Sequence, residues 1–201
     1  MKLNVSMNFP AVKARMDSLE ADIRDRATVS AVNKTMDQAK TQMARQIVER
    51  YAVTSTYVKE RLRVRGASRK GGMLQIEATL IGGDGKRRAA NIIAFVEKKT
   101  TLAQARKRSR DGTLRQLFVK VKKGGPSKPL PGAFIGNKGR TVFEREGKAR
   151  LPIRPVQVID VPQMFNTRTI NKAVIDFINK KFPEVFEREA RFFIDRFNAR
   201  R

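Results

Sequence analysis

The side chains that most often carry chemistry are missing: the 201 residues contain no histidine and no cysteine. Disulfides, thiolate nucleophiles, Cys/His zinc sites and Ser-His-Asp triads are excluded together. Catalysis would have to run on carboxylates, lysine or a carboxylate-bound magnesium. Asp84 with Glu97, Lys98 and Lys99 has the residue types of a metal-dependent nuclease core, in which two carboxylates hold a cation and a lysine supports the attacking water. No third acidic residue completes that set, and in a lysine-rich chain the pattern arises readily by chance. Gly82-Gly83-Asp84-Gly85-Lys86 misses the spacing of a phosphate-binding loop, in which two glycines five positions apart precede Lys-Ser/Thr, and reads as a turn. The expectation is a chain without catalytic residues, cofactor or metal.

What remains is charge. The net charge is +25 and the isoelectric point 11.3. The excess is uneven, with +3 over residues 1–58, +15 over 59–128 and +7 over 129–201. A field of that sign attracts phosphate, acidic protein surfaces or anionic lipid and does not choose among them. The densest run is Arg106-Lys107-Arg108-Ser109-Arg110, so Arg106, Lys107, Arg108 and Arg110 are candidates for contact with DNA or an acidic partner. A solvated loop is the plainer reading of such a run. Two tyrosines and no tryptophan argue against a single-strand binder, which needs exposed aromatics for stacking.

These residues must be held by a fold, and the apolar periodicity outlines one. Pro10 opens a short amphipathic helix with Val12, Met16, Leu19 and Ile23 recurring to about Asp25. Thr28 or Ser30 can cap a second, in which Val29, Val32, Met36, Ala39, Met43 and Ile47 form one stripe before Tyr51. Thr54 or Ser55 can cap a further turn or two through Leu62. From Arg63 the pattern changes to strands, expected at Met73–Ile81, Asn91–Glu97 and Leu117–Lys122, with a mobile basic loop at about 98–114. After Pro162, apolar residues from Ile170 to Phe197 hold a helical period, and Pro183 is expected to kink that helix or open a second one. Its phenylalanines are expected to pack on the sheet, or in part to face another subunit.

Leu130–Phe165 joins the strand-like middle to the helical end. Gly147 lies between Arg140–Glu146 and Ala149–Ile159, which reads as a β-hairpin with a glycine turn of positive φ. Pro152 and Pro155 cannot donate to a ladder and put the second arm on a sheet edge or at a bulge. Charges of both signs alternate around this hairpin, which is a solvated strand face or a subunit contact. The residues proposed for subunit or partner contact are Phe143, Arg145, Glu146, Lys148, Arg150, Val156 and Val158; the two valines are apolar enough to want cover.

The same region carries a family resemblance. Gly132-Ala133-Phe134-Ile135, Val142-Phe143-Glu144-Arg145-Glu146-Gly147-Lys148, Arg150-Leu151-Pro152-Ile153 and Val161-Pro162-Gln163-Met164-Phe165 resemble the prophage minor tail protein Z family of lambda-like tailed phages. The helical pair ending near Tyr51, followed by Tyr57-Val58-Lys59-Glu60-Arg61-Leu62, is similar to that family's opening half, whereas 66–128 matches loosely. The resemblance implies a structural protein of the head-proximal tail end, made in the host bacterial cytoplasm and carried in the virion neck. It acts there in tail completion and head–tail joining, and is not an enzyme. It also implies a homo-oligomeric ring of about six copies, with the tail terminator, tail tube and head–tail connector as partners and phage genomic DNA passing along the axis. The alternative from composition alone is a sequence-nonspecific nucleic-acid-binding protein.

The expected fold is therefore α+β, a single domain over 1–201. Its mainly antiparallel sheet, of five or six strands in 63–161, is packed by an N-terminal helical pair within 1–62 and a long C-terminal helix in 162–201. No apolar run approaches the roughly 20 residues of a membrane span, and no signal-peptide core opens the chain, so no membrane partner is expected.

Overall fold

The computed structural model describes residues 2–3, 10–70, 73–75, 77–82, 89–97, 117–147, 149 and 151–199. Two long helices dominate it. Pro10–Asp17 forms α1 and Ala21–Arg50 forms α2; α3 (Ser55–Glu60) and α4 (Val161–Phe165) are short, and α5 (Arg168–Asn198) closes the chain. The strands are β1 (Lys2–Leu3), β2 (Leu62–Arg65), β3 (Ser68–Lys70), β4 (Met73–Gln75), β5 (Thr79–Gly82), β6 (Ala89–Asn91), β7 (Leu117–Val119), β8 (Lys128–Leu130), β9 (Phe134–Gly136), β10 (Thr141–Arg145), β11 (Ile153–Pro155) and β12 (Gln157–Ile159). The class is α+β as expected, and the pairings among the described residues are antiparallel. They do not form one sheet of five or six strands. They split into ladders β1-β5-β2, β11-β10-β9, β12-β6, β3-β4 and β7-β8.

Helix α2 is 30 residues long, about 45 Å at 1.5 Å per residue. Its buried stripe includes Ile23, Ala27, Ala31, Met36, Ala39, Met43, Ala44 and Ile47. The stripe expected from the sequence holds from Met36 onward, but at the N-terminal end Ala27 and Ala31 take the inward place and Val29 is only half-buried. Those alanines face bulk on α5. Val12, Ala27, Ala31, Phe182, Val185, Phe186 and Ala190 form one apolar cluster, small residues on α2 admitting large ones from α5. The C-terminal half of α2 instead shares the main core with α3, the strands, α4 and Ile170, Val174 and Ile178 of α5. Of the α5 phenylalanines, Phe182, Phe186 and Phe193 thus pack on helices and not on the sheet, while Phe192 is 52% exposed.

The start of α2 differs from expectation for a local reason. Thr28 is buried in the helix interior, and its hydroxyl donates to the Arg24 carbonyl at 2.7 Å. A threonine satisfied four residues back has no need of a helix end. The break falls at Ser18–Glu20, where the Ser18 hydroxyl donates to the Arg15 carbonyl at 2.7 Å. Thr54 does cap α3, its Oγ1 accepting from the Tyr57 amide at 3.2 Å. Pro183 neither ends α5 nor opens a second helix. Phe182, Val185 and Phe186 around it are all buried, and burying side chains of that size contributes about 1.5–3 kcal/mol each, enough to offset the roughly 3 kcal/mol a mid-helix proline costs.

Two other strand expectations are revised. Met73–Ile81 divides into β4, paired with β3, and β5, paired with β2. Asn91–Glu97 is not a strand: Asn91 ends β6 and caps a 3₁₀ turn at Ile92–Phe95, its Oδ1 accepting from the Ile93 amide at 3.1 Å.

Candidate assembly interface

The region read from the sequence as a hairpin is the three-stranded ladder β9-β10-β11. Its register sets Phe143 opposite both Phe134 and Pro155, and Arg145 opposite Ile153. Directly paired residues share a face, and faces alternate along a strand. Val142, fully buried, therefore points into the main core. Phe134, Phe143, Arg145, Ile153 and Pro155 share the opposite face. Among the described residues, none of its apolar members belongs to, or packs against, either core cluster. The two rings lie 6.0 Å apart and tilted, and the Arg145 guanidinium stands 5.2 Å over Phe134. Ile153 is 37% exposed and Leu151, just before it, 67%. Gly136 lies beneath the Phe143 ring, whose atoms come within 3.0 Å of where a Cβ would stand, so a side chain there would displace the ring.

The turn geometry corrects the glycine assignment. Gly147 does not adopt positive φ; the left-handed turn lies at the other end of β10, where Asn137 (φ 49), Lys138 (φ 54) and Gly139 (φ 84) join β9 to β10. The β10–β11 connection is wider, with the Glu146 amide bonded to the Pro152 carbonyl at 3.2 Å and a cis peptide at Leu151–Pro152. β11 is an edge strand, as its prolines require.

The sequence-derived contact residues do not all share this face. Phe143 and Arg145 lie on it, and Glu146 is exposed just beyond it. Glu144, paired in register with Arg154 and bonded to it at 2.6 Å, lies on the inner side. Val156 and Val158 pack against the subunit's own main core. The Val156 amide donates to Val142 at 2.9 Å, its carbonyl accepts from Ile92 at 3.0 Å, and Val158 pairs with Ala90 in the β12-β6 ladder. The cover these valines need is thus largely supplied from within. Lys148, Arg150, Arg106, Lys107, Arg108 and Arg110 lie outside the described residues, as does the expected mobile loop.

Sequence reasoning missed what pins this ladder. Asn91 bonds both backbone groups of Val142, its Oδ1 accepting from the amide at 2.8 Å and its Nδ2 donating to the carbonyl at 3.0 Å. One side chain thereby imitates a neighbouring strand. Asn33 treats Ala67 the same way, at 2.8 and 3.1 Å. The sequence signal was slight: an asparagine at the first position of the Asn91–Glu97 run.

Elsewhere the polar groups have structural work. Arg61 stacks 3.7 Å over the Tyr57 ring with Nε 3.7 Å from Asp160, which caps α4 in a capping box with Gln163. Burial, and Asp160 beside it, push the Tyr57 hydroxyl above its usual range despite Arg61, so it is a poorer base precursor than free tyrosine. Glu189, buried between the long helices, accepts from Lys34 at 2.6 Å and Ser30 at 2.8 Å. Burial pushes its pKa up, but the bonds and charge of Lys34, with Ser30, outweigh that and leave it below the usual carboxylate range. Among the described residues no cluster of three acidic groups is placed to hold a metal. No described helix is long and apolar enough to cross a membrane. An open cleft of about 410 Å³ between α2 and α5 is lined by Asp37, Gln38, Thr41, Gln42, Arg45 and Phe177, without a nucleophile–base pair.

Compared with known proteins, residues 11–198 match the family model described as prophage minor tail protein Z. That span includes the 66–128 stretch where the motif resemblance is weakest. No curated protein and no solved structure matches.

Proposed function

The chain belongs to the prophage minor tail protein Z family, a family of phage tail structural proteins, and from that premise we propose that it acts in tail completion and head–tail joining as an oligomeric ring at the head-proximal tail end. Copies meet through the outer face of β9-β10-β11. The observation that carries this reading is that Phe134, Phe143, Ile153 and Pro155 gather on one side of a ladder and pack on neither core cluster. A solvated strand face alternates toward polar residues on its outer side; this one places two aromatic rings, an isoleucine and a proline there. Its edge strand β11 offers an unpaired side to a neighbour. A ring needs a heterologous contact, one patch meeting a different patch of the next copy. Tail terminator, tail tube and connector proteins are the neighbours such a ring would meet along the axis.

The test is the double variant Phe143→Ser/Ile153→Ser. Because the Phe143 ring is half-buried against Phe134 and Gly136, the variant should lose about 1–3 kcal/mol but still unfold cooperatively as a folded chain. It should also fail to rescue infectivity of a phage lacking the gene, and cross-linked multimers seen with the wild-type chain should be lost. Full rescue by a folded double variant would overturn the assignment of this face.

A further inference from the structure

A second surface lies on the β7–β8 hairpin, built from different residues than the face just described. Leu117 and Val119 are buried in the main core, so alternation turns Phe118 outward, where it is 48% exposed. Opposite it in register stands Pro129, also exposed. Lysines surround this apolar pair: Lys120 two residues on, Lys122 and Lys123 entering the turn, and Lys128 leaving it, the last three exposed. None of the four has a carboxylate partner among the described residues. The hairpin is tied down on two sides. The Lys120 amide donates to Phe95 at 3.0 Å and the Glu97 amide to Phe118 at 3.1 Å, while the Ala52 amide donates to Val121 and the Lys123 amide to Arg50, both at 2.9 Å. The hairpin backbone is thus fixed and needs no ordering when engaged, although each lysine side chain still loses rotamer freedom.

We propose that this hairpin is a docking surface for an acidic protein partner that seats an apolar side chain against Phe118 and Pro129 within a ring of carboxylates. An apolar centre with a charged rim is the anatomy of a protein contact, and the sign of the rim selects the partner. A second copy is disfavoured at this patch, since a chain with 44 basic and 19 acidic residues is short of carboxylates to ring four lysines. Duplex DNA would satisfy the lysines but offers phosphates and sugars to Phe118, and single-strand stacking needs more than one exposed ring. The inference stands apart from the copy-to-copy contact and concerns different residues.

The experiment uses the full chain and two labelled twelve-residue peptides rich in Asp and Glu, one with a central Leu and one with Ser in its place, beside a 20-base-pair duplex. The Leu peptide should bind more tightly than the Ser peptide. Phe118→Ser should weaken the Leu peptide about tenfold, and Lys122→Ala/Lys123→Ala should weaken both peptides, with a shallower salt dependence. Phe118→Ser should leave duplex affinity unchanged. Both variants lie at exposed positions, and circular dichroism melts confirm folding. Equal affinity of the two peptides, an intact response in folded Phe118→Ser, or a duplex that outcompetes the Leu peptide through the same lysines would each overturn the proposal.

Discussion

Replacing Asn91 by Ala tests how the interface ladder is held, and its cost can be worked from individual bonds. The substitution removes three hydrogen bonds: from the Val142 amide at 2.8 Å, from the Ile93 amide at 3.1 Å, and to the Val142 carbonyl at 3.0 Å. That carbonyl keeps the Val156 amide at 2.9 Å, so its loss is minor. The two amides lose their acceptor in a region where Val142 and Ile92 are buried, and an unsatisfied buried donor costs about 1–3 kcal/mol. The sum for the two is about 2–6 kcal/mol. With a urea m-value of about 2 kcal/mol/M, the unfolding midpoint should fall by about 1–3 M. With no tryptophan in the chain, far-UV circular dichroism is the suitable probe. Asn91→Asp retains an acceptor for both amides but sets its second carboxylate oxygen against the Val142 carbonyl, so it should recover only part of the loss. If Asn91→Ala shifts the midpoint by under about 0.3 M, the side chain is not acting as a surrogate strand.

Glu189→Gln should lower stability at neutral pH by about 1–3 kcal/mol, the worth of hydrogen bonds to a buried charge. Because the folded-state pKa of Glu189 is lowered, its contribution is fully present above the unfolded carboxylate value and lost as pH falls through the folded one; the gap between wild type and variant in urea titrations should therefore close below about pH 4. A gap independent of pH would show that packing, not charge, holds Glu189. Val158→Lys should destabilise the subunit itself, by about 1–3 kcal/mol, since Val158 packs on the main core; an unchanged melting temperature would mean that the β12 face is open after all.

The parts of this protein legible in its sequence are those that depend on neighbours along the chain. Helical periodicity located α2 from Met36 onward and the whole apolar run of α5, and the cap of α3 was narrowed to Thr54 or Ser55 because such a bond reaches only three residues ahead; the structure selects Thr54. The prolines placed β11 on an edge for a similarly local reason, a missing donor. The candidate interface was legible in part: Phe143 and Arg145 were picked out, while Phe134, Ile153 and Pro155 joined them only through the register of three strands.

By itself, then, the sequence determined the absence of His/Cys chemistry, the basic charge and the family motifs, all of which are properties of residue identity and order. Tertiary structure decided which of two reasonable local choices each ambiguous residue made. Asn91 caps a 3₁₀ turn instead of opening a strand because Val142, distant in the chain, supplies both a donor and an acceptor for its amide. Pro183 stays inside one helix because the residues around it are buried against α1 and α2. Val156 and Val158 turn inward because Val142, Ile92 and Ala90 pair with them. In each case the deciding energy comes from contacts between residues far apart in sequence, which no local period or propensity encodes.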